Sequence, residues 1–310
     1  MVREYRRTAR HMGSVFEFAV VCAGGPAEGE SLLDLCTAEV RRIEALLTEF
    51  EPHSDTYRIN QYAGKEPVRV SEETFSLLQR CLDISRLTGG TFDISAGALK
   101  KLYRFDNTPA AFPPPKEIDA ALKHCGYDKI RLLPNHEVLL HDPEMRINFA
   151  AIGKGYASDR VRTLLKAVNV AGAAVNASGD LSVWGARADG APWKIGVAHP
   201  DQPDRIMMWL PAEKGLCLAT SGNYEQYFEH LGVRYGHTID PRSGRPVTGI
   251  KSVTVISPRA ELSDALATAV TVMGTEKGLE FIGRLPETHC IIVDEKNRIH
   301  TSPNLEYHGK

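Results

Sequence analysis

Two oxygen-bearing side chains, Asp264 and Thr268, stand four residues apart in a segment that predicts a helix from Glu261 to Met273. Residues four apart share a helix face, so both side chains can point at one object. A carboxylate and a hydroxyl are hard oxygen donors, which Mg²⁺ prefers while it keeps water or phosphate oxygens in its other positions. Glu261 and Thr271 extend the same polar stripe. The alternative is structural: Asp264 helps to cap the helix, and Thr268 bonds back to a carbonyl group.

His237 is a second candidate, because it ends a predicted strand just before the turn Asp240–Gly244. In that turn Pro241 fixes φ and Gly244 closes the chain reversal. An imidazole titrates near neutral pH and can act as a general base, and side chains at such positions commonly line sites. The alternative is a surface or structural histidine.

The segment Ala151–Tyr156 places glycines and Lys154 at the start of a helix predicted from Lys154 to about Asn169. It lacks the complete P-loop frame, and no glycine fingerprint for dinucleotides occurs elsewhere in the chain. Backbone N–H groups and a lysine at a helix N-terminus favour an anion. The alternative is a tight turn between strand and helix that binds nothing.

The elements that would position these residues come in mixed order. Apolar spacing near 3.5 residues predicts a helix over 31–50, after a strand over 14–22 and a turn over 23–30. Ser71 and the pair Gly89-Gly90 bracket a second helix. Further strands are expected at 130–133, 138–140 and 145–149 as an antiparallel meander, and at 173–176, 181–184, 253–256 and 290–293.

Because strands and helices do not alternate regularly, the predicted class is α+β, with mixed or antiparallel sheets and packed helices. We expect a single two-lobed unit over residues 1–310, with any lobe boundary near 108–115, where the chain is rich in proline.

Composition describes a globular chain of 310 residues, 43% hydrophobic and 25% charged, with a formal net charge of -2. Neither nucleic acid nor an anionic membrane surface is therefore an expected partner, and no apolar stretch reaches the roughly 20 residues of a membrane span.

The six cysteines are far apart and show no CxxC pair, which favours reduced core thiols. No apolar leader follows the basic N-terminus, so we expect a cytoplasmic protein, or an exported form whose leader is absent from this chain.

Taken in order along the chain, the motifs resemble those of the ApbE family, the FAD:protein FMN transferases, from about Met12 to Met273. The similar segments are Met12 to Ser14 (MGS), Thr48 to Asn60 (TEFEPHSDTYRIN), Gly90 to Leu99 (GTFDISAGAL), Leu102 to Phe105 (LYRF), Ile147 to Asp159 (INFAAIGKGYASD), Asn176 to Asp180 (NASGD), Ala219 to Glu225 (ATSGNYE), His237 to Pro246 (HTIDPRSGRP) and Asp264 to Ala269 (DALATA). Their shared order carries the resemblance.

The resemblance implies a fold in which FAD, the substrate, lies between two lobes. It implies that Mg²⁺ is held by the side chains of Asp264 and Thr268 and by the carbonyl oxygen of Ala151, with His237 as the base. Flavin contacts are implied at Met12, Phe50, Thr91, Phe92, Asp93, Asn148, Lys154 and Ile239. The implied reaction is Mg²⁺-dependent transfer of FMN from FAD to a Ser or Thr hydroxyl. The implied partner is an acceptor flavoprotein with a D/S-G-A-x-S/T-like segment, and AMP is released.

Some positions depart from the family pattern. Asn148 stands where an Asp is usual, which predicts altered nucleotide affinity. Phe50 stands where Tyr or Trp is usual, so the aromatic surface is kept but the polar group of the ring is lost.

Two other activities stay open on these residues. One is Mg²⁺-dependent hydrolysis of FAD to FMN and AMP, and the other is FAD binding or carriage without catalysis.

Overall fold

The computed structural model describes residues 2–309 except 107, 109, 169, 213, 214, 224 and 225. Within that part of the chain the α-helices are α1 (Pro26–Leu47), α2 (Asp55–Gln61), α3 (Glu72–Leu87), α4 (Gly97–Lys100), α5 (Pro115–Leu122), α6 (Gly153–Ala167), α7 (Ala260–Met273) and α8 (Thr275–Ile282). The predicted helix end at Asn169, and Tyr224 and Glu225 of the family-like segments, lie outside the described residues.

The strands of the same part of the chain are mostly short. They are β1 (Arg3–His11), β2 (Ser14–Cys22), β3 (Val68–Arg69), β4 (Ile130–Leu133), β5 (Glu137–Leu140), β6 (Gly172–Ala177), β7 (Asp180–Gly185), β8 (Lys194–His199), β9 (Gln202–Pro211), β10 (Leu216–Gly222), β11 (Tyr227–His230), β12 (Val233–Gly236), β13 (Ile239–Asp240), β14 (Arg245–Pro246), β15 (Ile250–Ser257), β16 (His289–Asp294), β17 (Ile299–Thr301) and β18 (His308–Gly309).

An antiparallel sheet of eight strands, in the order β1-β2-β6-β7-β10-β15-β16-β17, forms the centre of the fold. Strand β2 shows why both of its faces are covered, because side chains alternate along a strand. Phe16, Phe18 and Val20 belong to the main core, to which α1, α6 and α7 also contribute. Ala19 and Val21 belong to a second cluster shared with β8 and β9. The sheet is therefore a rigid platform for the helices that carry the site.

Smaller sheets surround this platform. They have the orders β18-β9-β8, β3-β5-β4, β11-β12 and β13-β14. A third, smaller cluster joins α4 to the last two of them through Leu99, Tyr103, Phe228 and Ile239. The predicted α+β class is confirmed. The single unit over residues 1–310 with a boundary near 108–115 stays a prediction, and residue 109 of that boundary lies outside the described residues.

Two helix boundaries show how well local signals predict. The helix α3 begins as expected, since the Ser71 hydroxyl accepts a hydrogen bond from the Thr74 N–H at 3.1 Å, and it ends before Gly89 and Gly90, both at positive φ. The predicted turn over 23–30 is wrong, because α1 already begins at Pro26. Proline is pre-organised for the first helical position, and this outweighed the glycines that suggested a turn.

The predicted meander is wrong at its third strand. Strand β5 pairs with β4 as expected, but its other neighbour is β3 and not residues 145–149. Those residues are held instead by the Asn60 side chain, which accepts from the Ile147 N–H at 2.8 Å and donates to the Ile147 carbonyl at 2.9 Å. An irregular, buried segment therefore leads into the turn at Ala151.

The six cysteines are buried and free, as expected of core thiols. No helix among the described residues is both long and apolar enough to cross a membrane.

Candidate active site

A pocket of about 600 Å³ forms where the start of α6 and one face of α7 meet the loops that follow α1, α3 and β12. It is lined by all twelve residues that the sequence predicted for the site: Met12, Phe50, Thr91, Phe92, Asp93, Asn148, Ala151, Lys154, His237, Ile239, Asp264 and Thr268. The structure therefore brings the predicted site together in one place. The role of each residue there stays a prediction.

Helices α6 and α7 form one wall of the pocket and approach each other closely at Gly155. A Cβ atom at that position would lie 2.3 Å from the Ala260 carbonyl oxygen, so only glycine allows the contact. The Gly155 N–H donates to Oδ2 of Asp264 at 3.1 Å. Asp264 therefore caps the neighbouring helix, and the alternative in which it caps its own helix is wrong.

The start of α6 offers an anion fewer backbone donors than its sequence suggested. The Gly153 N–H donates to the Phe149 carbonyl at 2.7 Å, and the Gly155 N–H is engaged by Asp264. The positive charge of Lys154 is then the main attraction for an anion at this helix end. Its ammonium lies 2.6 Å from Oδ2 of Asp180, which is 1% exposed.

Asp180, which does not itself line the pocket, adds a second buried carboxylate next to Lys154 and Asp264. Burial and, second to it, the neighbouring Asp180 charge together raise the pKa of Asp264 to about 8, while Lys154 opposes the shift. Burial likewise raises the pKa of Asp180, again opposed by Lys154. Asp180 was not among the predicted site residues, although it closes the segment Asn176 to Asp180 that carried part of the resemblance.

The donor set of this wall suits Mg²⁺. Asp264 and Thr268 project from successive turns of α7 into the pocket, which the Ala151 backbone also borders. Asp264 and Asp180 are two buried carboxylates beside one ammonium, that of Lys154, so a divalent cation would favour the ionised form of both carboxylates. No cluster of three or more His, Cys, Asp or Glu side chains suited to a metal occurs among the described residues.

His237 follows β12 as predicted, and its backbone N–H donates to the Gln226 carbonyl at 3.0 Å. Its Nδ1 atom is enclosed and has no hydrogen-bond partner among the described residues. Burial and, second to it, the positive charge of Lys100 together lower the pKa of His237 to about 4. The imidazole is therefore neutral at pH 7, the form that a general base requires.

The loop after α3 supplies Thr91, Phe92 and Asp93, whose side chains are engaged within the protein. Oδ1 of Asp93 accepts from the Ser95 N–H and hydroxyl at 2.8 and 2.7 Å, and Oδ2 accepts from the Tyr127 N–H at 2.8 Å. The Thr91 hydroxyl donates to the Thr88 carbonyl at 3.1 Å, and Phe92 is 1% exposed. This segment therefore offers the pocket mainly its backbone.

The remaining predicted contacts differ in how freely they face the pocket. Phe50 is 80% exposed, whereas Ile239 is buried. The Met12 N–H donates to Oε1 of Glu44 at 2.5 Å. Oδ1 of Asn148 accepts from the Ala150 N–H at 3.2 Å, which ties this side chain to the turn before α6.

A second pocket of about 450 Å³ adjoins the first and shares Glu49, Phe50, Lys100 and Asn148 with it. The Lys100 side chain is accessible to solvent but lies within the cleft, where the surrounding protein lowers its pKa. Lys100 was not predicted from the sequence. No local pattern distinguishes it from the adjacent Lys101, which lines only the second pocket.

Comparison with known proteins gives consistent matches. The ApbE family model matches residues 12–292. A Treponema pallidum protein named FAD:protein FMN transferase is 30% identical, over 98% of this chain and 88% of that protein. The crystal structure of an ApbE protein from Thermotoga maritima has a TM-score of 0.87 and 31% identity, covering 97% of each chain. The flavin transferase ApbE from Vibrio cholerae has a TM-score of 0.85 and 25% identity, covering 98% of each chain.

Proposed function

This chain belongs to the ApbE family, and we propose from that membership that it transfers FMN from FAD to a Ser or Thr hydroxyl of an acceptor flavoprotein. The observation that carries the proposal is the single pocket lined by all the predicted residues. In it, the oxygen donors Asp264 and Thr268 and the cation Lys154 share a cavity with the neutral imidazole of His237. These are the groups that a phosphoryl transfer from a pyrophosphate needs.

In the proposed reaction, the acceptor oxygen forms a new bond to the FMN phosphorus of FAD, and the bond from that phosphorus to the oxygen of AMP breaks. The hydroxyl proton passes to His237 at Nε2, since Nδ1 is enclosed by protein. Lys154, held by its ion pair with Asp180, orients the pyrophosphate. The products are AMP and FMN linked to the acceptor through a phosphodiester.

Asp264, Thr268 and the Ala151 carbonyl would hold Mg²⁺ in this scheme. When bound, the ion neutralises charge on the pyrophosphate as AMP departs. The fit rests on the oxygen donors of α7 and on the presence of two buried carboxylates, Asp264 and Asp180, beside the single ammonium of Lys154. We further propose an acceptor with a D/S-G-A-x-S/T-like segment. The six buried free thiols support a reducing, cytoplasmic setting.

The proposal is tested by mixing the protein, FAD, Mg²⁺ and a domain that bears such a segment, then weighing the acceptor by mass spectrometry. We expect an added FMN mass. His237→Asn should slow its appearance by about 10²- to 10⁴-fold, the usual contribution of a general base, while FAD binding is retained. His230→Asn is the matched control, because His230 stands on β11 and lines neither pocket.

Unchanged labelling by the His237→Asn variant would contradict the role of His237. A wild type that releases AMP rapidly without an acceptor, and forms no adduct with one, would instead show FAD hydrolysis. Tight retention of FAD with no turnover under any divalent metal would show a carrier.

A further inference from the structure

Helices α6 and α7 cap each other. Asp264 on α7 accepts from the Gly155 N–H in the first turn of α6 at 3.1 Å. Asp159 on α6 accepts in return from the Glu261 N–H in the first turn of α7 at 3.0 Å, and from the Ala260 N–H as well. A carboxylate at a helix N-terminus satisfies donors that have no partner within the helix. Each helix therefore supplies the cap that the other lacks.

The two capping carboxylates differ in what else they can reach. Asp264 lines the active-site pocket, and its hydrogen bond engages Oδ2, which leaves lone pairs on Oδ1 for a metal ion. Asp159 lies one turn further along α6, beyond the close contact of Gly155 with Ala260, and faces a charged groove that contains Arg162 and Glu261. Asp159 is therefore absent from the residues that line the active-site pocket.

The proposed metal donors are divided between the same two helices. The Ala151 carbonyl lies in the turn before α6, close to Lys154 of its first turn, while Asp264 and Thr268 belong to α7. A metal ion needs both sets within a few tenths of an ångström of their places. Any shift of α7 along α6 changes the distance between them, and the paired caps oppose that shift from both sides of the Gly155 contact.

From this geometry we propose that Asp159 is a positioning residue for the metal site: by capping α7 it holds Asp264 and Thr268 in register with Ala151 and Lys154. The inference rests on the proposed function, since it takes Asp264 as a metal ligand. It assigns a purpose to a carboxylate that lies outside the pocket and touches neither FAD nor metal.

The test is Asp159→Asn, which removes the charge, retains an oxygen that can accept one N–H, and should fold. Mg²⁺ is titrated into the protein with FAD present and no acceptor, and binding is followed by the rise in Tm. We expect the half-saturating Mg²⁺ concentration to increase about tenfold, as for other groups that orient metal ligands. We also expect faster amide hydrogen exchange at Gly155, whose partner is Asp264, in addition to Glu261.

Asp294→Asn is the matched control. Asp294 is buried and, like Asp159, accepts two backbone N–H groups, here from Lys296 and Arg298 at 2.9 Å, but it is the last residue of β16 and lines neither pocket. It should lower the Tm of the metal-free protein without changing the Mg²⁺ titration. A purely structural role for Asp159 would make the two variants alike.

The proposal is overturned if Asp159→Asn titrates like the wild type, if Asp294→Asn weakens Mg²⁺ binding equally, or if exchange quickens at Glu261 and not at Gly155. If the wild type itself shows no Mg²⁺-dependent rise in Tm, the proposed metal site is wrong and this inference falls with it. If the wild type responds and Asp159→Asn responds identically, the proposed function stands and only the inference is lost.

Discussion

The pocket has two walls that are built differently. The helical wall, comprising residues 151–155 with Asp264 and Thr268, stands on helices whose apolar faces belong to the main core over the eight-stranded sheet. The loop wall, comprising Phe50, residues 91–93 and residues 237–239, follows helix and strand ends and is backed in part by the small third cluster. The first wall carries the buried Asp264 carboxylate and Lys154, whose ammonium pairs with Asp180, while the second carries an exposed aromatic ring and a neutral imidazole.

The two walls are suited to two different requirements of the same site, stabilisation of charge and recognition of shape. Charge stabilisation at a phosphate depends on donors that are already in place, which favours rigid elements with mutual hydrogen bonds. Recognition of a flavin or an acceptor segment depends on shape, which loops can vary without disturbing the core. We therefore expect changes on the helical wall to affect chiefly the chemical step, and changes on the loop wall to affect chiefly binding or its pH dependence.

The largest effect is expected for Asp264→Asn. Loss of this proposed metal ligand should reduce FMN transfer by about 10³-fold, equivalent to about 4 kcal/mol of transition-state stabilisation. The metal-free variant should nevertheless be at least as stable as the wild type at pH 8. The reason is that burial and the neighbouring Asp180 make the ionised Asp264 carboxylate unfavourable, while the Asn oxygen can still accept from Gly155.

Transfer assays and urea unfolding of metal-free protein at pH 8 measure the two halves of this prediction. A variant that loses both activity and stability would contradict the comparison, because Asp264 would then serve the fold more than the chemistry. Thr271→Val is a suitable control on the same helix. The Thr271 hydroxyl donates to the Ala267 carbonyl, and the side chain lies outside the pocket.

A smaller effect, of about tenfold, is expected for Phe50→Ala on the loop wall. Stacking of a base on an aromatic ring contributes about 1–3 kcal/mol, so the KM for FAD should increase while kcat changes little. Since the ring is 80% exposed, the Tm should not change. Tyr62→Ala, another exposed aromatic residue outside both pockets, should leave the KM unaltered. A fall in kcat with constant KM would place Phe50 in the chemistry and break the contrast between the walls.

The helical wall also shows which features could be predicted from the sequence and which could not. The Asp264–Thr268 spacing and the helix after Ala151 are local patterns, so both helices of the helical wall were predicted with small errors at their ends. The hydrogen bonds that join those helices were not predicted, because Gly155 and Asp264 are separated by 109 residues and Asp159 and Glu261 by 102. Strand β1 was missed as well, since REYRRTARH has no apolar alternation and is an edge strand.

The smallest effect is expected for Lys100→Met. Burial and, second to it, the positive charge of Lys100 lower the pKa of His237 to about 4. In the free enzyme His237 is therefore already deprotonated above about pH 5, and kcat/KM should fall only in more acidic solution. Removing the charge should raise this pKa, and the acid limb of kcat/KM should move to higher pH by less than about one unit.

The lowered pKa of His237 also makes the free energy of unfolding depend on pH in the same direction. Between pH 4 and the usual pKa of 6.5 the unfolded chain binds the extra proton, so acid destabilises the wild type across this window, and the variant less so. Lys101→Met, which changes a residue outside the main pocket, should leave both profiles in place. An acid limb that stays fixed in Lys100→Met would mean that the Lys100 charge does not set the pKa of His237, and one that moves to lower pH would contradict the direction of its effect.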